Sequence, residues 1–355
     1  MKTLRAFFML AVLLAIPGSR AWAQQPAPPA PPPPAGAAQP QSQPSQTAAP
    51  PPQQNQVPTI RTTVGLVHLV ATATDRRHNF VTTLEQSDFK VLEDGTPQEI
   101  RFFGRETDLP LRIGLLLDTS NSIRPRLQFE QDAAIDFLNS VIRRNKDQAF
   151  LMTFDNEPEI IQDFTGDLAL LTKAIRRQRA GGGTALHDAI YRAAEKIMNP
   201  PPAKGDNPEV RRVLVVISDG DDNLSDHALS DAIEGAIRAE AAIYTISTNT
   251  DWLAITGDSP RKLHMSAGDK VLENFADQSG GRAFYPYKVE DLAQSFVDIG
   301  NELRSQYFIA YSPTNPQSNG KYRKIQVDTG RKGLTVRTRR GYYATSAPGG
   351  ASPGK

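Results

Sequence analysis

The chain has 355 residues, with 40 Lys and Arg against 39 Asp and Glu, and 28 Pro. It has no Cys, which excludes a disulfide framework, thiolate zinc sites, iron–sulfur clusters, thiol catalysis and a lipid-modified N-terminal Cys. The first 23 residues hold Lys2, Arg5 and Arg20 and no acid, leaving 37 basic and 39 acidic residues, a balance that gives no support for nucleic-acid binding by bulk charge.

The chain opens like an address. Ala6–Ile16 is an apolar run of 11 residues behind Lys2 and Arg5, too short to span ~30 Å of hydrocarbon as a stable helix. Pro17 and Gly18 break it, and Ala21-Trp22-Ala23 fits a small-x-small cleavage pattern. Residues 1–23 are therefore expected to be a signal peptide ending before Gln24, an uncleaved anchor being the alternative. No later stretch is long and apolar enough to cross a membrane. The expected location is periplasmic, surface-associated or secreted. Gln24–Pro58 holds 13 Pro and no charged residue. It cannot bury a core, and is expected to be a disordered, extended spacer. Setting aside a Gly/Ser/Pro tail at 345–355 leaves 286 residues for folded structure.

From 59 to 110 the pattern is that of strands. Val64–Val70 is a β-favouring run. Asp88–Glu93 places Phe89 and Val91 on one face, Asp94-Gly95 is a turn, and Glu99–Phe103 is expected to return with Ile100 and Phe102 inward. From 111 the pattern changes. Ile113–Leu117, Val213–Ile217 and Ala241–Ile246 are continuous apolar runs, as in parallel strands covered on both faces. Leu127, Ala134, Phe137, Leu138 and Val141 share one helical face, and so do Leu186, Ala189, Ile190, Ala193 and Ile197. The alternation predicts a doubly wound, mostly parallel α/β domain over 111–305. Strands return at Tyr307–Tyr311, Tyr322–Val327 and Leu334–Thr338. The β-rich segments 59–110 and 306–344 are expected to form one domain, because the ends of an inserted domain lie close together.

The first buried strand ends in Asp118-Thr119-Ser120-Asn121-Ser122, the second in Ser218-Asp219-Gly220, and Thr184 follows Gly181-Gly182-Gly183. Asp118, Ser120, Ser122, Thr184 and Asp219 offer only oxygen, which suits a hard divalent cation: Mg²⁺ above all, with Mn²⁺ or Ca²⁺ as alternatives. Open α/β sheets place sites at the carboxyl ends of strands where strand order reverses.

In this order and spacing the five residues resemble the metal-ion-dependent adhesion site of the von Willebrand factor A domain, a resemblance covering about 195 residues. Phe89-x-Val91 with Glu93-Asp94-Gly95, and Arg339-Arg340-Gly341-Tyr342, resemble the exported VWFA-related Acidobacterial domain group. Asn121 stands where Gly is common, and Asn tolerates left-handed backbone. The resemblance implies that Ser120, Ser122 and Thr184 contact a metal directly or through water, that Asp118 and Asp219 act likewise, and that one position stays open for an acidic side chain of a protein ligand.

Competing chemistries are weaker. A haloacid-dehalogenase-type phosphatase needs Asp where Ser120 stands. Ser120 lacks a Gly-x-Ser-x-Gly elbow, and the phosphate-binding and dinucleotide fingerprints are missing. In the Asp219–Asn223 run, Leu224 and Ser230 occupy the Gly and Glu places of a calcium loop. Asp221 and Asp222 are expected to be solvated loop acids, the alternative being that they add negative field beside the metal. His187, three residues after Thr184, and Trp252, in the long segment Asn249–Gly268, are candidate rim residues for ligand recognition; the alternatives are a His that caps or packs and a disordered insertion. The function expected is an exported, non-enzymatic, metal-dependent protein-binding module. The alternative is an envelope assembly component whose β-domain makes the contacts and whose metal site is only structural.

Overall fold

The computed structural model describes residues 65–105, 109–200, 210–249, 265–286 and 289–345. The expected signal peptide and spacer, residues 346–355 of the expected tail, and Trp252 lie outside them. In chain order the elements are β1 (Val67–Thr74), β2 (Phe89–Glu93), β3 (Thr96–Gln98), β4 (Ile100–Arg105), β5 (Leu111–Asp118), α1 (Leu127–Val141), β6 (Gln148–Phe154), β7 (Pro158–Thr165), α2 (Leu168–Arg176) and α3 (Leu186–Met198). There follow β8 (Arg211–Ser218), α4 (Leu229–Arg238), β9 (Ala241–Ser247), α5 (Ala267–Ser279), β10 (Ala283–Phe284), α6 (Val289–Leu303), β11 (Tyr307–Tyr311), β12 (Tyr322–Thr329), β13 (Thr335–Arg337) and β14 (Gly341–Tyr343).

The central sheet runs β10-β9-β8-β5-β6-β7. All neighbours are parallel except β6 and β7, which are antiparallel. Apolar residues fill both faces of its strands, as continuous runs require. Ile113, Leu115 and Leu117 of β5 pack with α1, α2 and α6. Leu116, with Leu214 and Val216 of β8, packs with α3, α4 and α5. The chain leaves β5 toward β6 on one side and comes back to β8 on the other. Strand order therefore reverses between β5 and β8, which opens a crevice at their carboxyl ends. The edge strand β7 is half-exposed and carries charge, and its periodicity did not single it out.

The flanking strands interleave. One sheet runs β13-β1-β11-β4, the other β14-β12-β2-β3, so each draws strands from before residue 110 and after 306. The two share one core of Leu69, Ala71, Phe89, Val91, Ile309, Tyr311 and Ile325. The returning strand differs from expectation. Asp94 (φ 48°) and Gly95 (φ 81°) turn the chain into β3. β4 then crosses to the other sheet beside β11, where Phe102 points outward, 57% exposed, and Phe103 packs on Phe89 and Tyr307. A turn signal specifies a hairpin, but it does not say which following run closes it.

Candidate functional site

β5 and β8 deliver their last residues to the crevice. Asp118 is fully buried at the end of β5: Oδ1 accepts from Ser120 N at 2.8 Å and Oδ2 from Ser218 Oγ at 2.7 Å. Ser120 Oγ lies 2.9 Å from Ser122 Oγ, and Ser122 Oγ donates to Asp219 Oδ2 at 2.7 Å. Asp219 Oδ1 accepts from Asp221 N at 3.1 Å. The structure thus joins Asp118, Ser120, Ser122 and Asp219 in one hydrogen-bonded set of oxygens. Asp118, Ser120 and Asp219 are buried and Ser122 is exposed, so the set opens to solvent at Ser122.

Thr184 is brought alongside by its loop. Gly181 N donates to Thr119 O at 2.8 Å, and Asn121 N donates to Gly182 O at 3.2 Å. Thr184 N donates to Asn223 Oδ1 at 2.9 Å, and Thr184 O accepts from Asn223 N at 3.0 Å. Asn121 opens a single 3-10 turn over Asn121–Ile123 and is not among the left-handed residues, so the tolerance expected of it is not used.

The turn after β8 is set by two glycines in close approach. Gly220 is left-handed (φ 81°), and a Cβ there would stand 2.3 Å from Gly268 O. A Cβ on Gly268 would stand 2.2 Å from Asp219 O. Only two residues without side chains let α5 begin against Asp219. Asn249 Nδ2 holds the same carbonyl, Asp219 O, at 2.5 Å. Asp269 accepts from Ser247 Oγ at 2.6 Å and from Ser266 N at 2.9 Å.

Charge is concentrated here. Burial pushes Asp118 up to about 6, against hydrogen bonds from Ser218 and Ser120 that lower it, and Asp219 adds to the rise. Burial, then Asp219 and Asp269, raise Asp221. Burial also acts on Asp269, but hydrogen bonds from Ser247, Ser266 and Asn249 hold it below the usual carboxylate range. The donor set fits a hard cation: two carboxylates that repel each other, with hydroxyls between them. Among the described residues no group of three or more His, Cys, Asp or Glu is placed to hold a metal, so hydroxyls have to complete this set.

One expectation is corrected, and His187 follows the packing alternative. Its ring lies 6.0 Å from Phe275 and 3.7 Å from Asp222 Oδ2, 17% exposed, because its place in the first turn of α3 faces α5. Asp222 is not simply solvated: it accepts from His187 N at 2.9 Å and from Ser225 Oγ at 2.6 Å. Sequence reasoning also missed Ser218, Asn223 and Asn249, which position the set. Ser218 had a signal in its place beside Asp219 at a strand end. Asn223 and Asn249 act across loops and had none.

Residues 113–221, from β5 to just past Asp219, match the family model of the von Willebrand factor type A domain. The match does not reach the motifs at 89–95 or 339–342, so it supports the domain at large and not the narrower Acidobacterial group. No curated protein matches the sequence. Similar solved structures include a von Willebrand factor type A protein from Catenulispora acidiphila, at 13% identity over 76% of each chain with a TM-score of 0.46. The von Willebrand factor domain of a type V pilus tip protein from Porphyromonas gingivalis is 14% identical over 54% of this chain and 94% of that chain, TM-score 0.41. Proximal thread matrix protein 1 from the mussel byssus, with zinc in its metal-ion-dependent adhesion site, is 17% identical over 60% of this chain and 50% of that chain, TM-score 0.45. Residues 113–221, which carry Asp118, Thr184 and Asp219, are thus similar in sequence to a von Willebrand factor type A domain.

Proposed function

We propose that the chain is an exported, non-enzymatic module that captures a protein partner through a divalent cation, with Mg²⁺ preferred. The observation that carries this is the hydrogen-bonded oxygen set Asp118–Ser120–Ser122–Asp219 at the strand-order reversal, with Thr184 held beside it. A bound divalent ion would supply an electrophilic centre for a partner's Asp or Glu. Asp118 and Asp219 would bring its charge near neutral, and the hydroxyls would orient it without adding charge. Exposure of Ser122 puts the open side toward solvent, where a partner arrives. Ser120 bonds to Ser122 and Ser122 to Asp219, with no imidazole bonded to either serine among the described residues, which supports binding rather than hydrolysis.

Residues 249–268, which include Trp252, would set partner choice. Asn249 Nδ2 lies 2.9 Å from Ser266 Oγ and holds Asp219 O, which supports this reading. Among the described residues no helix is long and apolar enough to cross a membrane. Calorimetry of the mature chain with Mg²⁺ tests the metal, with Asp118→Ala and Asp219→Ala expected to weaken binding at least about tenfold. Equal affinity in wild type and both variants would refute it. Partner capture from envelope extract is expected to vanish in chelator. Capture that survives chelation would assign the contact to the β-sandwich instead.

A further inference from the structure

At the end of the central sheet opposite Asp118 and Asp219 lies a cavity of about 310 Å³, between the first residues of β8 and β9, the end of α4, and strands β1 and β11 of the sandwich. Val70, Ile237 and Phe308 form its apolar side. Arg211, Arg212, Arg339 and Glu240 form its charged side, Arg211 being bonded to Leu303 O and Gln306 Oε1.

The charges there do not balance. Arg212 meets one oxygen of Glu240 at 3.9 Å, too long for a hydrogen bond, and Arg339 meets the other at 3.2 Å. Two guanidiniums thus share one carboxylate, and that carboxylate leans out, its side chain 46% exposed. Arg339 also donates to His68 O at 2.9 Å. The Nε atoms of Arg212 and Arg339 are both buried without a hydrogen-bond partner. Unmade buried donors are expensive and uncommon in a native fold, and here they belong to the two arginines that share Glu240. A planar anion is what two guanidinium forks recognise.

We propose that this cavity binds a small organic carboxylate with an apolar body. Its carboxylate would sit between Arg212 and Arg339, and its carbon chain against Val70, Ile237 and Phe308. The volume lies at the small end of the roughly 300–1,000 Å³ found for ligand pockets, which suits a short chain or a single ring. The site lies apart from the metal set, so it stands or falls independently of the metal reading.

The test is calorimetry on the mature chain in chelator, which silences any carboxylate held by a metal. The probes are hexanoate, hexanamide as a neutral isostere, and inorganic phosphate as a charge without an apolar body. Hexanoate is expected to bind with a dissociation constant of roughly 1 mM or tighter. Hexanamide and phosphate should bind at least about tenfold more weakly, and Arg212→Met should lose a similar factor, with Arg212→Lys between. Asp219→Ala should bind hexanoate as wild type does. Hexanoate binding no tighter than hexanamide or phosphate, or unchanged in Arg212→Met, overturns the proposal. If Arg212→Met does not fold, crosslinking of wild type with a diazirine-bearing alkyl carboxylate decides. Label on peptides containing Val70 or Phe308 supports the site, and label elsewhere overturns it.

Discussion

Glu130 lies on the buried face of α1, 1% exposed, and neither carboxylate oxygen has a hydrogen-bond partner. Burial pushes it from 4.5 up to about 8; Arg126 opposes the rise, and Asp118 and Asp219 add to it. The native state therefore keeps a proton that the unfolded chain has released. Its contribution to stability is fully present below pH 4.5 and lost as the pH climbs toward 8. Glu130→Gln is a neutral isostere. Its denaturant midpoint should match wild type near pH 5 and exceed it near pH 9, by about 1–3 kcal/mol. The same offset at both pH values would mean that the carboxyl does not titrate in this range. The same burial raises Asp118, so the crevice holds negative charge at an energetic cost that a bound cation would offset.

At the scale of elements, α3 begins without a cap of its own: its N-cap is Ala185, which makes no side-chain cap. The loop after β8 supplies one. Asp222 Oδ2 accepts from His187 N at 2.9 Å and Ser225 Oγ from Asp188 N at 3.0 Å. Asp188 answers by accepting from His227 N at 2.9 Å and Asp226 N at 3.1 Å. Burial opposes these bonds, but His227 and Asp226 still hold Asp188 below the usual carboxylate range. Loop and helix thus cap each other, and the loop that starts at Asp219 fixes the helix that starts beside Thr184. Asp222→Ala should lower stability by about 1 kcal/mol in denaturant melts and weaken Mg²⁺ binding several-fold in calorimetry. The exposed Asp226→Ala should change stability by no more than about 0.5 kcal/mol. Stability loss in Asp222→Ala with unchanged metal affinity would uncouple the two turns.

Across the whole described fold, the α/β domain and the sandwich meet at Glu302, fully buried on α6. Its Oε1 accepts from Tyr244 Oη at 2.8 Å, Thr72 Oγ1 at 3.3 Å and Arg337 Nη2 at 2.5 Å, tying β9, β1 and β13 to one carboxylate. Removing Arg337 leaves that charge buried without its counter-ion, so Arg337→Ala should cost about 3 kcal/mol. The Arg340–Asp277 pair is bidentate but about half exposed on both sides, so Arg340→Ala should cost under about 1 kcal/mol. Chemical denaturation of the two variants checks the ranking. Interleaving of strands gives a further expectation. In the fragment 59–110 only β2 and β3 could pair with each other as they do in the whole fold, since β1 and β4 both pair with β11. That fragment alone should show no cooperative melt.

The sequence by itself determined the class of the central domain. Apolar runs such as Ile113–Leu117 and Val213–Ile217 need cover on both faces, and the helical faces at Leu127–Val141 and Leu186–Ile197 supply it, a match of local period to global packing visible without coordinates. It also pointed to the acids and hydroxyls at the ends of buried strands that the fold gathers into one hydrogen-bonded set. Tertiary structure alone decided how those donors are joined. Ser122 reaches Asp219 across 97 positions, and Asp118 reaches Ser218 across 100. It also decided that His187 turns inward, that Asp222 caps a helix, and that β4 leaves its hairpin for another sheet. These outcomes depend on which elements become neighbours. A one-dimensional pattern records the face a residue presents, but not the partner that face will meet.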